Sequence, residues 1–184
     1  MSLKKWVLTG GPCSGKTTLI NELKQRGFIT LDEIARKVFE ERKGFALDAT
    51  EMAERQRRIL ERQLDAERGL EGKYDYTDEH NDVVHDAFLD RGLVDCVAYA
   101  HTAFGFVPDD FYKVPLRMRY GGIFVLERFP FVNDGIRAEK DDAEAQKLHD
   151  SIINCYCAYG YRPVIVPRMG AAERADFILE HIKK

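Results

Sequence analysis

Short apolar runs alternate with longer stretches of helical period along this chain, a pattern that predicts an α/β fold. Apolar and β-branched runs predict five strands, at residues 5–9, 28–31, 83–89, 122–126 and 161–167. The first run is uninterrupted, which is typical of a central parallel strand. Pro163 inside the last run predicts an edge strand or a late start, because proline donates no hydrogen bond to a neighbouring strand. We therefore expect a five-stranded parallel sheet flanked by helices.

The stretches of helical period predict seven helices, at about residues 15–26, 34–39, 48–70, 95–104, 109–117, 141–160 and 171–183. Gly27 is placed to end the first helix, and Asp32 to cap the second. The third helix carries Gln56, Gln63 and Glu67 on its apolar face. Either this face lines a polar cleft or these side chains lie at its solvated end.

Length and charge limit the function classes. A chain of 184 residues suits one domain, and its net charge of −3 gives no reason to expect bulk binding of nucleic acid. No apolar run is long enough to cross a bilayer, and no secretion signal precedes the first strand. The four cysteines have the spacing of neither a zinc site nor a disulfide framework. We therefore expect the protein to lie in the reducing cytoplasm. Cys13 is either a small loop filler or an oxidisable thiol.

A glycine loop follows the first predicted strand directly and opens the first predicted helix. Its Gly10-x-x-x-x-Gly15-Lys16-Thr17 spacing, between strand and helix, is the phosphate-binding P-loop pattern. Backbone N–H groups and the helix start bind phosphate oxygens, Lys16 pairs with the outer phosphates, and the Thr17 hydroxyl is placed to ligate Mg²⁺. The predicted nucleotide-binding residues are Gly10, Gly11, Pro12, Cys13, Ser14, Gly15, Lys16, Thr17 and Thr18.

Two acids end strands of the predicted sheet, where α/β proteins bind ligands. Glu33 follows the second strand, so it is expected in the site, with an acid at a helix N-terminus as the alternative. Asp90 ends the third strand in the Walker B arrangement, which predicts a second Mg²⁺ ligand, and Arg91 beside it is placed to contact substrate or phosphate. The alternative is a buried Asp90–Arg91 ion pair.

The segment after the fourth strand is too irregular for a helix and mixes arginine, aromatic residues and glycine. It fits a mobile lid over about residues 127–141. Arg128 and Arg137 are then placed to close over the transferred phosphate, or else they are surface arginines on a loop.

Four segments together resemble a known family. They are residues 8–18, 32–36, 88–95 and 132–137. Through these segments the chain resembles the small P-loop ATPase (AAA-domain) family that includes the ribosylnicotinamide kinase module of bacterial NAD-biosynthesis regulators. The resemblance covers roughly residues 4–180. Nucleoside and nucleotide kinases are the wider relatives. The resemblance implies that residues 1–184 form a single kinase-like domain, and the absence of an adenylyltransferase module departs from the bifunctional regulators.

The resemblance also implies roles for individual residues. The acid after the second strand of such kinases often acts as base toward the accepting hydroxyl, which matches Glu33, while Asp90, Arg91 and Arg137 match the Asp-Arg pair and the lid arginine. We therefore expect an ATP- and Mg²⁺-dependent kinase for a small, nucleoside-like acceptor, with Lys16, Glu33, Asp90, Arg91, Arg128 and Arg137 as catalytic residues. The alternative is a nucleotide-dependent switch that binds a protein or phospholipid, with Lys113, Arg117 and Arg119 as its contact.

Overall fold

Five parallel strands form one sheet in the computed structural model, which describes residues 3–41, 49–74, 85–105, 107, 109–132 and 141–183. Strand β1 pairs with both β3 and β4, β2 lies outside β3, and β5 lies outside β4. The strands are β1 (Leu3–Thr9), β2 (Ile29–Leu31), β3 (His85–Asp90), β4 (Gly122–Leu126) and β5 (Val164–Val166). The predictions of a central first strand and of a late, edge-positioned fifth strand are confirmed.

Seven helices flank the sheet within the described residues. They are α1 (Lys16–Gln25), α2 (Ile34–Glu40), α3 (Ala49–Tyr74), α4 (Leu93–Phe104), α5 (Asp109–Lys113), α6 (Asp142–Ala158) and α7 (Ala171–Ile182), with a short 3₁₀ turn at Pro115–Arg117 after α5. No described helix is both long and apolar enough to cross a membrane.

Side chains alternate between the two faces of the sheet, as the two-residue period of a strand requires. Val7 and Leu89 pack with α4 and α6 on one face, whereas Leu8 and Phe88 pack with α1 and α7 on the other. A third apolar cluster joins α2, α3 and α4 at the β2 side of the sheet. Helices therefore cover both faces and leave the carboxyl edge of the strands open to ligands.

Within the part of the chain that the structure describes, the polar residues on the apolar face of α3 are buried. Gln63 and Glu67 are buried, and Glu67 receives hydrogen bonds from Lys5 Nζ (3.1 Å) and the Tyr120 hydroxyl (2.9 Å). A strand lysine thus holds α3 against the sheet, and for Gln63 and Glu67 both alternatives are wrong.

The start of α4 and the cap of α2 differ from expectation. The Asp95 carboxylate accepts the Gly92 N–H at 2.9 Å, so α4 begins at Leu93 and not at Asp95. Asp32 does not cap α2, because Glu33 occupies the N-cap position and the exposed Asp32 carboxylate lies 3.8 Å from Lys24 Nζ.

Candidate functional site

The loop after β1 and the ends of β2, β3 and β4 meet at one edge of the sheet. Gly10 follows β1, Glu33 lies two residues after β2, Asp90 ends β3 and Glu127 follows β4. Since these four strands are neighbours and parallel, their carboxyl ends bring the predicted site residues together.

The glycine loop folds back tightly between β1 and α1. Gly10 has φ +132°, and a Cβ there would lie 2.7 Å from the Leu126 carbonyl oxygen, so only glycine fits. Lys16 Nζ donates hydrogen bonds to the carbonyl oxygens of Gly10 (2.8 Å) and Gly11 (3.0 Å) and to Ser14 Oγ (3.0 Å). Burial, assisted by the Arg91 charge, lowers the Lys16 pKa to about 8. The ammonium therefore lies inside the loop, where it is partly desolvated and bonded to groups that phosphate oxygens can replace.

Thr17 and Asp90 form the pair of oxygen donors that the sequence predicts. The Thr17 hydroxyl lies 3.3 Å from Asp90 Oδ2, and the buried Asp90 Oδ1 has no hydrogen-bond partner among the described residues. Burial raises the Asp90 pKa to about 6 against the opposing effect of Lys16. A buried carboxylate oxygen without a partner beside a threonine hydroxyl fits Mg²⁺, which prefers one or two carboxylates plus substrate phosphates.

Glu33 and Arg91 form a partly buried ion pair at the carboxyl edge of the sheet. Arg91 Nε donates to Glu33 Oε1 at 2.9 Å, and Arg91 Nη1 donates to the Tyr99 hydroxyl at 2.6 Å. The Arg91 charge holds the pKa of Glu33 below its ordinary range despite partial burial. The alternative of a buried Asp90–Arg91 pair is wrong, because the guanidinium pairs with Glu33. Glu33 is therefore a fixed anion at the site, oriented by Arg91.

A cavity of about 290 Å³ opens between α1, the end of β2 and the start of α2. Its lining residues are Thr17, Ile20, Asn21, Asp32, Glu33, Arg36, Lys37 and Asp90. Thr17, Asp90 and the Glu33 carboxylate thus border one space, whose volume approaches that of typical small-molecule pockets.

Arg128 lies beneath the P-loop and not on the surface. Only 5% of the residue is exposed, Nε donates to the Pro12 carbonyl oxygen at 3.1 Å, and Nη2 donates to Asp142 Oδ1 at 2.6 Å. The alternative of a surface arginine is wrong for Arg128. Its contact with a transferred phosphate stays a prediction.

The lid prediction falls only partly on the described residues. Residues 127–132 have no regular secondary structure, as expected, whereas Arg137 lies outside the described residues. The segment after β4 touches the P-loop, because the Phe129 N–H donates to the Cys13 carbonyl oxygen at 2.8 Å. Cys13 Sγ accepts from the Val132 N–H at 3.3 Å, so this side chain makes a contact beyond filling the loop.

Two residues that support the loop were missed by sequence reasoning. His149 on α6 accepts the Gly11 N–H through Nδ1 at 3.0 Å. Arg174 on α7, 2% exposed, donates to the carbonyl oxygens of Ser14 (2.5 Å), Pro167 (2.9 Å) and Glu127 (3.1 Å). Both lie on otherwise apolar helix faces. A lone polar residue on such a face was the available signal, but it does not reveal the distant partner.

Comparison with known proteins agrees with this fold. A family profile described as an AAA domain matches residues 5–174. No curated protein matches the chain significantly in sequence.

Several solved structures share the fold. Deoxyadenosine kinase from M. mycoides is 13% identical, with a TM-score of 0.62, over 97% of this chain and 98% of that one. Thymidylate kinase from Ehrlichia chaffeensis is 12% identical, with a TM-score of 0.64, over 99% of this chain and 100% of that one. NadR protein in complex with NR is 20% identical, with a TM-score of 0.68, over 98% of this chain and 52% of that one, so this chain spans about half of NadR. At these identities the likeness shows the fold alone, a P-loop fold shared with nucleoside and nucleotide kinases.

Proposed function

Because this chain belongs to the AAA domain family, we propose that it is an ATP-dependent phosphotransferase acting on a hydroxyl of a small, nucleoside-like molecule. The observation that carries the proposal is the shared cavity, which is bordered by the P-loop Thr17, by Asp90 and by Glu33. A P-loop that only binds nucleotide does not need a second carboxylate beside Asp90. Here Glu33, which follows β2, supplies one in the same cavity. Kinase chemistry needs an acceptor pocket there.

The proposed reaction transfers the γ-phosphoryl group of ATP to the acceptor oxygen. The bond to the β,γ-bridging oxygen breaks, ADP leaves, and the acceptor's hydroxyl proton goes to Glu33 or to solvent. Arg91 holds the Glu33 carboxylate at 2.9 Å, which orients it to accept a hydrogen bond from the hydroxyl. Lys16 leaves the loop carbonyls to bind the outer phosphate oxygens. Thr17 and Asp90 would hold Mg²⁺, which supplies positive charge against the phosphates.

Two arginines complete the proposed charge compensation. We assign Arg128 and Arg137 to the developing charge on the transferred phosphoryl group, since arginine stabilises such charge in related chemistry. Arg128 is already tied to the P-loop through the Pro12 carbonyl.

The nucleotide partners of the structural neighbours support ATP as the donor, because NadR was solved with NAD and AMP-PNP and deoxyadenosine kinase with dATP. The cytoplasm stays a prediction from the sequence.

The second candidate is a nucleotide-dependent switch that binds a protein or a phospholipid headgroup. The observation that favours it is the contact between the segment after β4 and the P-loop, through Phe129 N–H and the Cys13 carbonyl. Nucleotide binding would then alter residues 127–132 directly. Lys113 and Arg119 would form part of the contact, although Lys113 already lies 3.3 Å from Asp109 on the same helix.

Acceptor-dependent consumption of ATP distinguishes the two candidates. We expect ATP turnover to rise when a hydroxyl-bearing acceptor from a nucleoside and sugar panel is added. Turnover that no acceptor changes, together with an ATP affinity that responds to lipid vesicles or a protein partner, would favour the switch.

Glu33→Gln tests the acceptor side of the site. We expect acceptor phosphorylation to fall by roughly 10²-fold or more, as loss of a general base does, while the dissociation constant for ATP stays unchanged. Glu41→Gln is the matched control, because Glu41 pairs with Arg62 at 2.6 Å on an exposed surface. Unchanged transfer in Glu33→Gln would show that Glu33 is not the base.

A further inference from the structure

The peptide group between Gly10 and Gly11 is held at both ends by side chains. Its carbonyl oxygen accepts from Lys16 Nζ at 2.8 Å, and its N–H donates to His149 Nδ1 at 3.0 Å. Lys16 is the group that must turn toward phosphate when a nucleotide binds. His149 then remains the one side chain among the described residues that fixes this peptide.

Two consecutive glycines make this peptide group conformationally free, since neither residue has a Cβ to restrict it. Rotation of the peptide would turn the Gly10 carbonyl away from its place and redirect the chain entering Pro12. A fixed acceptor for the Gly11 N–H opposes that rotation.

Helix α6 is packed closely enough to deliver such an acceptor. A Cβ on Gly11 would lie 2.9 Å from His149 Cβ and 3.0 Å from the Ala145 carbonyl oxygen, so glycine is required for the approach. Arg128 anchors the same helix to the loop through Asp142 and Pro12. The pKa of His149 is lowered, chiefly by burial, which favours the neutral imidazole that an acceptor Nδ1 requires.

We propose that His149 is a positioning residue for nucleotide binding, which holds the Gly10–Gly11 peptide in its phosphate-binding orientation while Lys16 exchanges the loop carbonyls for phosphate. The role rests on the proposed function only as far as ATP binding. His149 bonds the loop backbone and does not line the cavity of Thr17, Glu33 and Asp90. We therefore expect its loss to raise KM for ATP and to leave kcat unchanged.

The test compares His149→Asn with His149→Leu, which have nearly the same shape. The Asn side-chain oxygen takes the place of Nδ1 as acceptor, whereas Leu has none. We expect His149→Asn to bind Mg²⁺·ATP within about twofold of the wild-type protein and His149→Leu to bind roughly three- to tenfold more weakly, the value of one buried hydrogen bond. Isothermal titration calorimetry gives the dissociation constants, and circular dichroism checks folding.

Equal ATP affinity in His149→Leu and the wild-type protein would overturn the proposal, and so would equal weakening by Asn and Leu, which indicates packing alone. If His149→Leu does not fold, His149→Ala replaces it in the same comparison. A failure of the proposed function looks different, because the wild-type protein would then bind ATP without acceptor turnover or would not bind it at all.

Discussion

At the residue scale, the site contains a charge that folding disfavours. Asp90 is 1% exposed, its Oδ1 has no hydrogen-bond partner among the described residues, and burial raises its pKa to about 6. An acid with a raised pKa binds its proton more tightly in the folded protein than in the unfolded chain. Its contribution therefore lowers the free energy of unfolding as pH rises between about 4 and 6. Burial of the Asp90 carboxylate does not stabilise the fold at neutral pH, which supports the proposal that Asp90 binds Mg²⁺.

Asp90→Asn is therefore expected to stabilise the protein in the absence of Mg²⁺ and nucleotide. A pKa near 6 in place of 3.8 predicts a gain in unfolding free energy of up to about 3 kcal/mol at pH 7. The gain should largely vanish near pH 4, where the folded carboxyl is protonated. Urea denaturation with EDTA at both pH values measures it. If Asp90→Asn is less stable than the wild-type protein at pH 7, the interpretation of Asp90 as a desolvated carboxylate kept for Mg²⁺ is contradicted.

The sequence predicted the residues of the site that follow strands, because a glycine loop and a terminal acid are local signals. Lys16, Thr17, Glu33 and Asp90 all lie where the pattern places them. It did not predict the pairing of Arg91 with Glu33, because 58 residues separate them and only the strand order brings them together.

At the element scale, α3 is the helix whose attachment the sequence did not reveal. Its buried Glu67 bonds Lys5 of β1, Gln63 of its own helix and Tyr120 before β4. From the sequence alone, polar residues on an apolar face are equally consistent with a cleft or a solvated end. Their partners come from other elements, so only the assembled fold identifies a buried ion pair.

Removal of one partner of this pair should cost far more than removal of both. Lys5→Met leaves the Glu67 carboxylate buried without its cation, and we expect a loss of about 3–5 kcal/mol in unfolding free energy. Lys5→Met combined with Glu67→Leu should recover most of that loss. Denaturant titrations of the two single variants and the double variant give the coupling.

The exposed Arg62–Glu41 pair is the control for this cycle, because its members are 45% and 56% exposed. Because solvent screens an exposed pair, its coupling should be far smaller than that of the Lys5–Glu67 pair. Additive losses at Lys5 and Glu67 would show that the ion pair does not hold α3 to the sheet.

At the scale of the whole molecule, the strand order explains why the candidate site residues lie together at one edge of the sheet. The order β2-β3-β1-β4-β5 places the P-loop centrally, with Glu33 and Asp90 on one side and Arg128 on the other. Local patterns predicted the number and type of the strands and helices, the central first strand and the edge position of the fifth. The supports of the loop from α6 and α7, His149 and Arg174, were not predictable because both contacts span more than 130 residues.

We propose that this arrangement moves a phosphoryl group to an acceptor and does not merely hydrolyse ATP. The direct test is the mass balance of one reaction with Mg²⁺, ATP and a nucleoside panel, with ADP and phosphorylated acceptor measured by mass spectrometry. We predict that phosphorylated acceptor and ADP form in equal amounts, and that both are lost in Lys16→Ala. ADP formed with an equal amount of inorganic phosphate, and no phosphorylated acceptor from any member of the panel, would contradict the account.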